Sequence, residues 1–490
     1  MAKKYGETML DTRRHIRKLT NHAYIISLRF VFTTFTLSFL IAFLVAFIPT
    51  YNMNHEANIA LFILLFAAGL WITEAIPAFA VSLLVIALEI LLLGFENFNF
   101  ASGSKAWEYY LSPWSSPLIF LFLAGFIMAA AASKTKLDVW LAKKVLFFVG
   151  NKPHNILTGI IVITFALSMF VSNTATAVMM MTIVLPLLDK IKQDNPFGTA
   201  ILLAVVIGSN LGGMATIIGT PPNAIAVGAL GANAPSFVEW IILALPPAMI
   251  VVFILRWLVL KKYPSTETNI DLQMIKEVEH FDDSTIKFTK KPTIPSWKKQ
   301  VTIGIFIVTV ILWLTSPLHH ILTTVVSLIP IIGFTLFGII DADDITKIRW
   351  DVIILIVGGL SLGLGVSKTG LDLYIATLIP TDGMSALWIM LIFSYIVVVI
   401  SNFMSNTAAT NIMLPIVIAV AATISQSATS MVAIAVALSA SYAMCLPVST
   451  PPNAIVYSSQ KVKSKDFLLL GITAAILGPL VSVGWLYLIH

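Results

Sequence analysis

From Phe30 to the C-terminus the chain is a succession of apolar windows, each roughly 18–25 residues long and so able to cross a bilayer as a helix. Lipid offers no water to backbone amides, so these windows have to fold as helices. Polar interruptions at membrane depth must be buried in protein or line a wet cavity. Two interruptions stand out: FVSNTATAVMMM at 170–181 and FMSNTAATNIML at 403–414. One Ser-Asn-Thr triplet would read as a turn or a helix cap. Two in matching surroundings point to a duplicated architecture in which the triplet has a role.

Composition agrees. Of 490 residues, 58% are hydrophobic and 11% charged, with a mean hydropathy of +0.93. A soluble domain carries about 25% charged residues, so the chain is read as an all-α polytopic membrane protein in contact with the lipid bilayer. The first 29 residues are polar and basic, and no cleavable signal peptide is read there. The single cysteine, Cys445, excludes internal disulfides, zinc clusters and iron–sulfur sites. The net charge of +6 does not imply nucleic acid, because the Lys and Arg lie in short loops between spans. With a cytoplasmic N-terminus, all 30 basic residues except Lys105 and Lys368 fall on the cytoplasmic side, which sets the orientation by the positive-inside rule. A multi-pass protein of the cell membrane is expected.

The chain repeats itself on either side of a polar segment. ASKTKLD (132–138) matches VSKTGLD (366–372), the triplets follow, and GTPPNAIAVG (219–228) matches STPPNAIVYS (449–458), all at nearly constant spacing. Three ordered matches define two structural repeats. The organisation is read as a basic N-terminus (1–29), a first transmembrane helix (30–56), repeat 1 (57–260), a cytoplasmic linker (261–299) and repeat 2 (300–490). Spans are expected near 30–49, 57–76, 78–94, 115–133, 198–230, 237–260, 300–316, 319–340, 350–366, 428–458 and 466–489, about eleven helices. The number of crossings between equivalent points is odd, so the second repeat is inverted. Inverted repeats are the mark of secondary transporters, with sites near the midplane where the repeats meet.

Segments 154–190 and 385–424 are too long for one span yet have no charged loop in the middle. Each is read as a re-entrant hairpin with the triplet at its tip; two plain short helices with a membrane-depth turn are the bland alternative. A helix C-terminus offers unpaired carbonyls to a cation, and a helix N-terminus offers N–H groups to an anion. Ser168 and Ser172, and likewise Ser401 and Ser405, are one turn apart, which would place each pair on one helix face. Their hydroxyls, with amide and carbonyl oxygens, are hard ligands suited to sodium. Asn173, Thr174, Asn406 and Thr407 can donate to a carboxylate. Each Thr-Pro-Pro-Asn motif removes two N–H donors and breaks a span, 198–230 and 428–458, freeing carbonyls near Gly219 and Ser449. A kink used only for packing is the alternative.

Other groups are read more plainly. Glu74 and Glu89 are taken as interfacial or scaffold groups, with proton coupling as the alternative. The Met179–Met181 run is packing, and His319 and His320 lack further metal ligands nearby. No Walker loop and no hydrolytic triad is present, so neither ATP-driven transport nor an enzyme is indicated. No organic cofactor is implied. Neither Lys nor Arg accompanies the proposed site, so an anion there would be held by helix ends, hydroxyls, amides and co-bound cations.

WITEAIP, the two triplets, GTPPNAIAVG and LPVSTPPNAIVYSS together resemble the divalent anion/sodium symporter family, the INDY-type di- and tricarboxylate transporters. The resemblance covers nearly everything beyond residue 57. It implies eleven transmembrane helices, two re-entrant hairpins, a homodimer and an elevator motion of a transport domain against a dimeric scaffold. It also implies substrates such as succinate, malate, fumarate, 2-oxoglutarate or citrate. Carried over by motif, one sodium site would use Ser168, Ser172, Asn173 and Gly219. The other would use Ser401, Met404, Asn406 and Ser449, with backbone carbonyls from Met404 and Ser449. The substrate would touch Asn173, Thr174, Thr220, Asn406, Thr407, Thr450 and Pro451. Two departures bear on selectivity: Ser449 replaces an alanine common in the family, and Thr182 stands where repeat 2 has Pro415. Sodium-coupled dicarboxylate symport is the expected function. The alternatives are a sodium-independent dicarboxylate exchanger of the same fold, then a tricarboxylate or sulfate transporter, then an anion channel.

Overall fold

Apolar sequence without water leaves the backbone one economical solution, and every regular element among the described residues is a helix. The computed structural model describes residues 29–48, 53–95, 105–189, 191–192, 195–270, 272, 295–379 and 384–489. The basic segment up to residue 28 and most of the linker lie outside the described residues.

A first helix, α1 (Arg29–Ala46), precedes the repeats. Repeat 1 contains α2 (His55–Thr73), α3 (Ala78–Leu93), α4 (Pro117–Lys134), α5 (Leu137–Val149), α6 (Pro153–Ser168), α7 (Asn173–Leu188), α8 (Phe197–Gly213), α9 (Pro221–Leu230) and α10 (Phe237–Lys262). Repeat 2 contains, in matching order, α11 (Ser296–Leu314), α12 (Thr323–Leu336), α13 (Trp350–Lys368), α14 (Leu371–Leu378), α15 (Ala386–Ser401), α16 (Asn406–Ala422), α17 (Gln426–Ala440), α18 (Pro451–Ser458) and α19 (Ser464–Ile489). The match extends to backbone detail. Between α4 and α5 the chain turns through a left-handed residue, Lys136 at φ 52°; between α13 and α14 the same turn is made by Gly370 at φ 75°. Glycine adopts this conformation freely, whereas lysine does so at a cost.

Among the described residues seven helices are long and apolar enough to cross a membrane by length and composition, while others fall to 10–17 residues. The chain is a multi-pass membrane protein. Some boundaries differ from the sequence reading for local reasons. The span expected at 57–76 ends at Thr73, because Glu74 turns left-handed (φ 48°) shortly before Pro77. The span expected at 319–340 is only Thr323–Leu336, since Ser316–His319 forms a separate short helix closed by His320 at φ 57°. The linker is also less detached than its composition suggests. Ile270 N–H donates to Asn151 O at 3.0 Å, Ile270 and Leu272 are buried, and α11 already begins at Ser296.

The repeats exchange partners. α3 of repeat 1 packs on α13 of repeat 2, and α12 of repeat 2 packs on α4 of repeat 1. Lys134, ending α4, bridges Asp341 at 2.8 Å and also Asp344, both between α12 and α13. The Lys134 ammonium holds the Asp341 carboxyl down to about 2. Close approach on α13 depends on two adjacent glycines. A Cβ on Gly358 would lie 2.6 Å from Ser82 Cα of α3, and one on Gly359 would lie 2.0 Å from Asn411 Oδ1 of α16. α13 is therefore clasped between α3 on one side and α16 on the other. Gly358→Ala is expected to cost about 1–3 kcal/mol through overpacking against backbone. Gly363→Ala, with no atom within 4 Å of its Cβ position, is the control. Thermal unfolding of the two variants in detergent checks the contrast.

Candidate functional site

Each Ser-Asn-Thr triplet sits where one helix stops and the next starts. α6 ends at Ser168, residues Met169–Val171 turn, and Ser172 caps α7, accepting from Ala175 N at 3.3 Å. α15 ends at Ser401, Asn402–Met404 turn, and Ser405 caps α16, accepting from Ala408 N at 3.2 Å. This corrects the expectation that the paired serines share one helix face. The helix ends between them, because the second serine adopts the extended backbone of an N-cap (ψ 142° and 141°). Asn173, Thr174, Asn406 and Thr407 thus occupy the first turn of a helix, where backbone N–H groups have no intrahelical acceptor.

The first serine of each pair reaches across the tip. Ser168 Oγ lies 2.9 Å from Asn173 Oδ1 and 2.7 Å from Ser209 O; Ser401 Oγ lies 2.7 Å from Asn406 Oδ1 and 3.3 Å from Ala440 O. A hydroxyl has one hydrogen. When it goes to the backbone carbonyl, the serine and asparagine oxygens face each other with lone pairs. Each tip therefore concentrates more acceptors than donors, a donor set that fits a hard cation. At the first tip Gly213 lets Asn173 come close, since a Cβ there would be 2.2 Å from Asn173 Oδ1. Gly219 folds back on Gly213, whose carbonyl oxygen would be 2.3 Å from a Cβ at 219. The structure thus brings Ser168, Asn173 and Gly219 together, while Ser172 Oγ accepts the capping bond from Ala175 N.

The breaks between α8 and α9 and between α17 and α18 are held by asparagines of the Pro-Pro-Asn motifs. Asn223 Nδ2 donates to Gly213 O, Met214 O and Thr216 O at 3.1, 3.2 and 2.7 Å. Asn453 Nδ2 donates to Met444 O at 3.0 Å and Leu446 O at 2.9 Å. Asn453 Oδ1 accepts from Asn210 Nδ2 of repeat 1 at 3.0 Å and from Thr450 Oγ1 at 2.9 Å. α9 packs on α16 and α18 on α7, so each broken helix lies against the other repeat's helix pair. Thr220 and Thr450 are the N-caps of α9 and α18, and Pro451 is the first residue of α18. Of the two threonines, only Thr450 accepts a capping bond from its own helix.

At the second tip Met404 is buried, and Ser449 donates to Asn402 O at 2.9 Å while accepting from Leu446 N at 3.1 Å. Asn402 itself was not legible as a site residue. It is buried, donates to Val398 O at 2.8 Å and accepts from Cys445 N at 2.8 Å, pinning tip to break. Its repeat-1 counterpart is Met169, whose carbonyl accepts from Thr216 Oγ1. A cavity of about 820 Å³ leads to the first tip. Lys134, Lys136, Lys347 and Arg349 line it, together with Ser172 and Thr174.

The citrate transporter family profile matches residues 68–438 and 310–490. The chain belongs to the citrate transporter family. An uncharacterized transporter of Schizosaccharomyces pombe is 32% identical over 440 residues, 86% of this chain and 49% of its own, so the chain spans about half of that relative. The sodium-dependent dicarboxylate transporter SdcS of Staphylococcus aureus is 30% identical over 470 residues, covering 87% of this chain and 85% of that one. In fold, the chain is similar to the crystal structure of the Alcanivorax borkumensis YdaH transporter, with a TM-score of 0.56 and 13% identity over 89% of this chain and 98% of that one. The resemblance to divalent anion/sodium symporters drawn from the motifs holds at the level of the family.

Asn453 satisfies two buried carbonyls and two donors at once, whereas the Ser449 hydroxyl serves one carbonyl, Asn402 O, and one donor, Leu446 N–H. Asn453→Ala is expected to lower stability by about 2–4 kcal/mol and Ser449→Ala by about 1 kcal/mol. Denaturant unfolding of the purified variants measures both; equal losses would refute the ranking.

Proposed function

We propose that this chain is a secondary active transporter of C4-type dicarboxylates (succinate, malate, fumarate) and the C5 analogue 2-oxoglutarate, coupled to sodium and working by an elevator motion of a homodimer. The observation that carries the reading is the pair of tips. Each sets a serine and an asparagine oxygen face to face beside the open N–H groups of a helix start. A cation and a carboxylate are the two ligands such a tip accommodates side by side. Sodium is the hard monovalent ion that hydroxyl and carbonyl oxygens hold, and a dicarboxylate has one carboxylate for each tip. The sodium-dependent dicarboxylate transporter among the relatives supports both assignments.

In this reading the sodium ligands are Ser168, Ser172, Asn173 and Gly219 at one tip and Ser401, Met404, Asn406 and Ser449 at the other. The substrate is held by Asn173, Thr174, Thr220, Asn406, Thr407, Thr450 and Pro451. The moving body is the two helix pairs with the two broken helices, and α13 is the track. Its glycine pair at 358 and 359 faces α3 on one side and α16 on the other, offering a smooth surface for sliding. With the N-terminus cytoplasmic, the cavity opens to the cytoplasm; its lining mixes Lys134, Lys136, Lys347 and Arg349 with Asp138 and Asp344, and Lys134 and Arg349 are already ion-paired. A sodium-independent exchanger of the same fold is the second reading, because every tip contact described here forms among the protein's own atoms.

Uptake of labelled succinate into proteoliposomes separates the two. A sodium gradient is expected to drive accumulation, and Asn173→Ala or Asn406→Ala to reduce it by about tenfold or more, each removing at least 1.4 kcal/mol of binding, with unchanged melting. Uptake that ignores sodium but is accelerated by internal dicarboxylate would establish the exchanger. Full uptake by both variants would overturn the site.

A further inference from the structure

Glu89 lies in α3 near its C-terminal end and is 1% exposed. Its neighbours across the repeat boundary come from α13. Ser361 Oγ hydrogen-bonds Glu89 Oε2, and Gly365 leaves room for the carboxyl, since a Cβ there would lie 2.2 Å from Oε1. The same Ser361 Oγ is 3.0 Å from Tyr110 O, in the short helix Glu108–Leu111.

The elements around α3 carry several charged groups, and none of them pairs with Glu89 among the described residues. Lys368, at the end of α13, stands over the Tyr109 and Tyr110 rings, 4.3 and 5.7 Å from their centroids. Lys105 is 4.0 Å from Glu108, and both are exposed. Asp351, at the far end of α13, is bound by Arg349 at 2.8 Å. On α2 the titratable groups, His55 and Glu56, belong to its exposed first turn. Glu89 thus faces one hydroxyl and no cation.

Ser361 has one hydrogen and two acceptors to serve. If Glu89 were a carboxylate, a hydrogen directed to it would leave Tyr110 O against the hydroxyl's lone pairs. A hydrogen directed to Tyr110 O would leave a buried anion against those lone pairs instead. A protonated Glu89 removes the conflict: its O–H donates to Ser361 Oγ, and Ser361 donates on to Tyr110 O. Burying an unpaired charge is also far costlier than burying a neutral, hydrogen-bonded acid.

We propose that Glu89 is a resident proton-binding site, a neutral carboxylic acid that joins repeat 1 to repeat 2 through Ser361 and Tyr110 and keeps its proton throughout turnover. The site goes beyond the transport reading and does not depend on the identity of the substrate. Its consequence is that the charge moved per substrate is set by the substrate and its co-ions, with no proton passing through α3.

Infrared spectroscopy of the purified, lipid-reconstituted chain tests the protonation directly. A protonated-carboxyl C=O band is expected at neutral and mildly alkaline pH, absent in Glu89→Gln. Ser361→Ala keeps the acid but removes its acceptor, and is expected to move that band. In proteoliposomes Glu89→Gln, whose amide N–H replaces the acid O–H, is expected to keep uptake within about twofold, a free-energy change of about 0.4 kcal/mol, with the pH profile and charge-to-substrate ratio of the parent. No band that either variant removes or moves would overturn the proposal, as would an altered pH profile or charge ratio in Glu89→Gln. If Glu89→Gln does not fold, the Ser361→Ala difference spectrum decides alone. Should the parent show no succinate uptake, the transport reading fails while the infrared result still stands or falls by itself.

Discussion

Every other feature of this protein depends on one requirement: carbonyls freed inside a membrane need a donor from the protein itself. The chain breaks α8–α9 and α17–α18 with Pro-Pro, which cannot donate, and follows each break with an asparagine, which can. Asn223 and Asn453 turn their amides back onto the carbonyls that the break exposes, at 2.7–3.2 Å and 2.9–3.0 Å. The breaks stay open as a result, and irregular backbone can stand opposite the helix starts at Asn173 and Asn406. Without those two amides the same carbonyls would be left without a protein donor at membrane depth, because Pro-Pro blocks continuation of the helix that would otherwise pair them.

The repeats are alike in design and unequal in detail. Asn210 binds Asn453 across the repeat boundary, whereas the repeat-2 position equivalent to Asn210 is Ser441, a shorter side chain. Among the described residues, Asn223 Oδ1 and Ser441 Oγ are buried with no hydrogen-bond partner. Thr450 gives its hydroxyl hydrogen to Asn453, while Thr220 makes no such cap. The second tip is fastened through Asn402 to both Cys445 and Ser449, and the first through Thr216 to Met169. The second half-site is thus the more completely fastened of the two, and the first, beside the cavity, keeps the freer hydroxyl in Thr220.

Much of this was legible in sequence, and the physical reason is that lipid simplifies the code. Apolar length gave the helices, the absence of a charged loop gave the tips at 172–174 and 405–407, and Pro-Pro gave the breaks. The helix-face pairing of Ser168 with Ser172 failed because spacing alone does not reveal that an N-cap begins between them. Asn402 escaped notice because its repeat-1 counterpart is Met169, so comparison of the repeats gave no signal there. Asn223 and Asn453 were visible in the motifs, but their work is done over seven to ten residues of folded-back chain, as with Asn223 to Gly213, beyond what local pattern displays.

Charge supplies the last constraint. Residues 168–182, 209–230, 401–414 and 439–460 contain no Asp, Glu, Lys or Arg. Under the proposed function a dianion would then meet only dipoles at the tips, and its two charges would be costly to bury unless cations entered with it. The same uncharged lining would hold a lone cation poorly. In that reading neutrality of the loaded site would be reached only with anion and cations bound together, and a neutral cargo is what the proposed moving domain would carry past α13 through a low-dielectric barrier. A fixed arginine at each tip would neutralise the dianion without co-ions and leave the empty carrier charged. Under the proposed function, leaving both tips uncharged would make the co-ions part of the site, and the proposed coupling would follow from the same polar, ion-free triplets that interrupt the apolar runs.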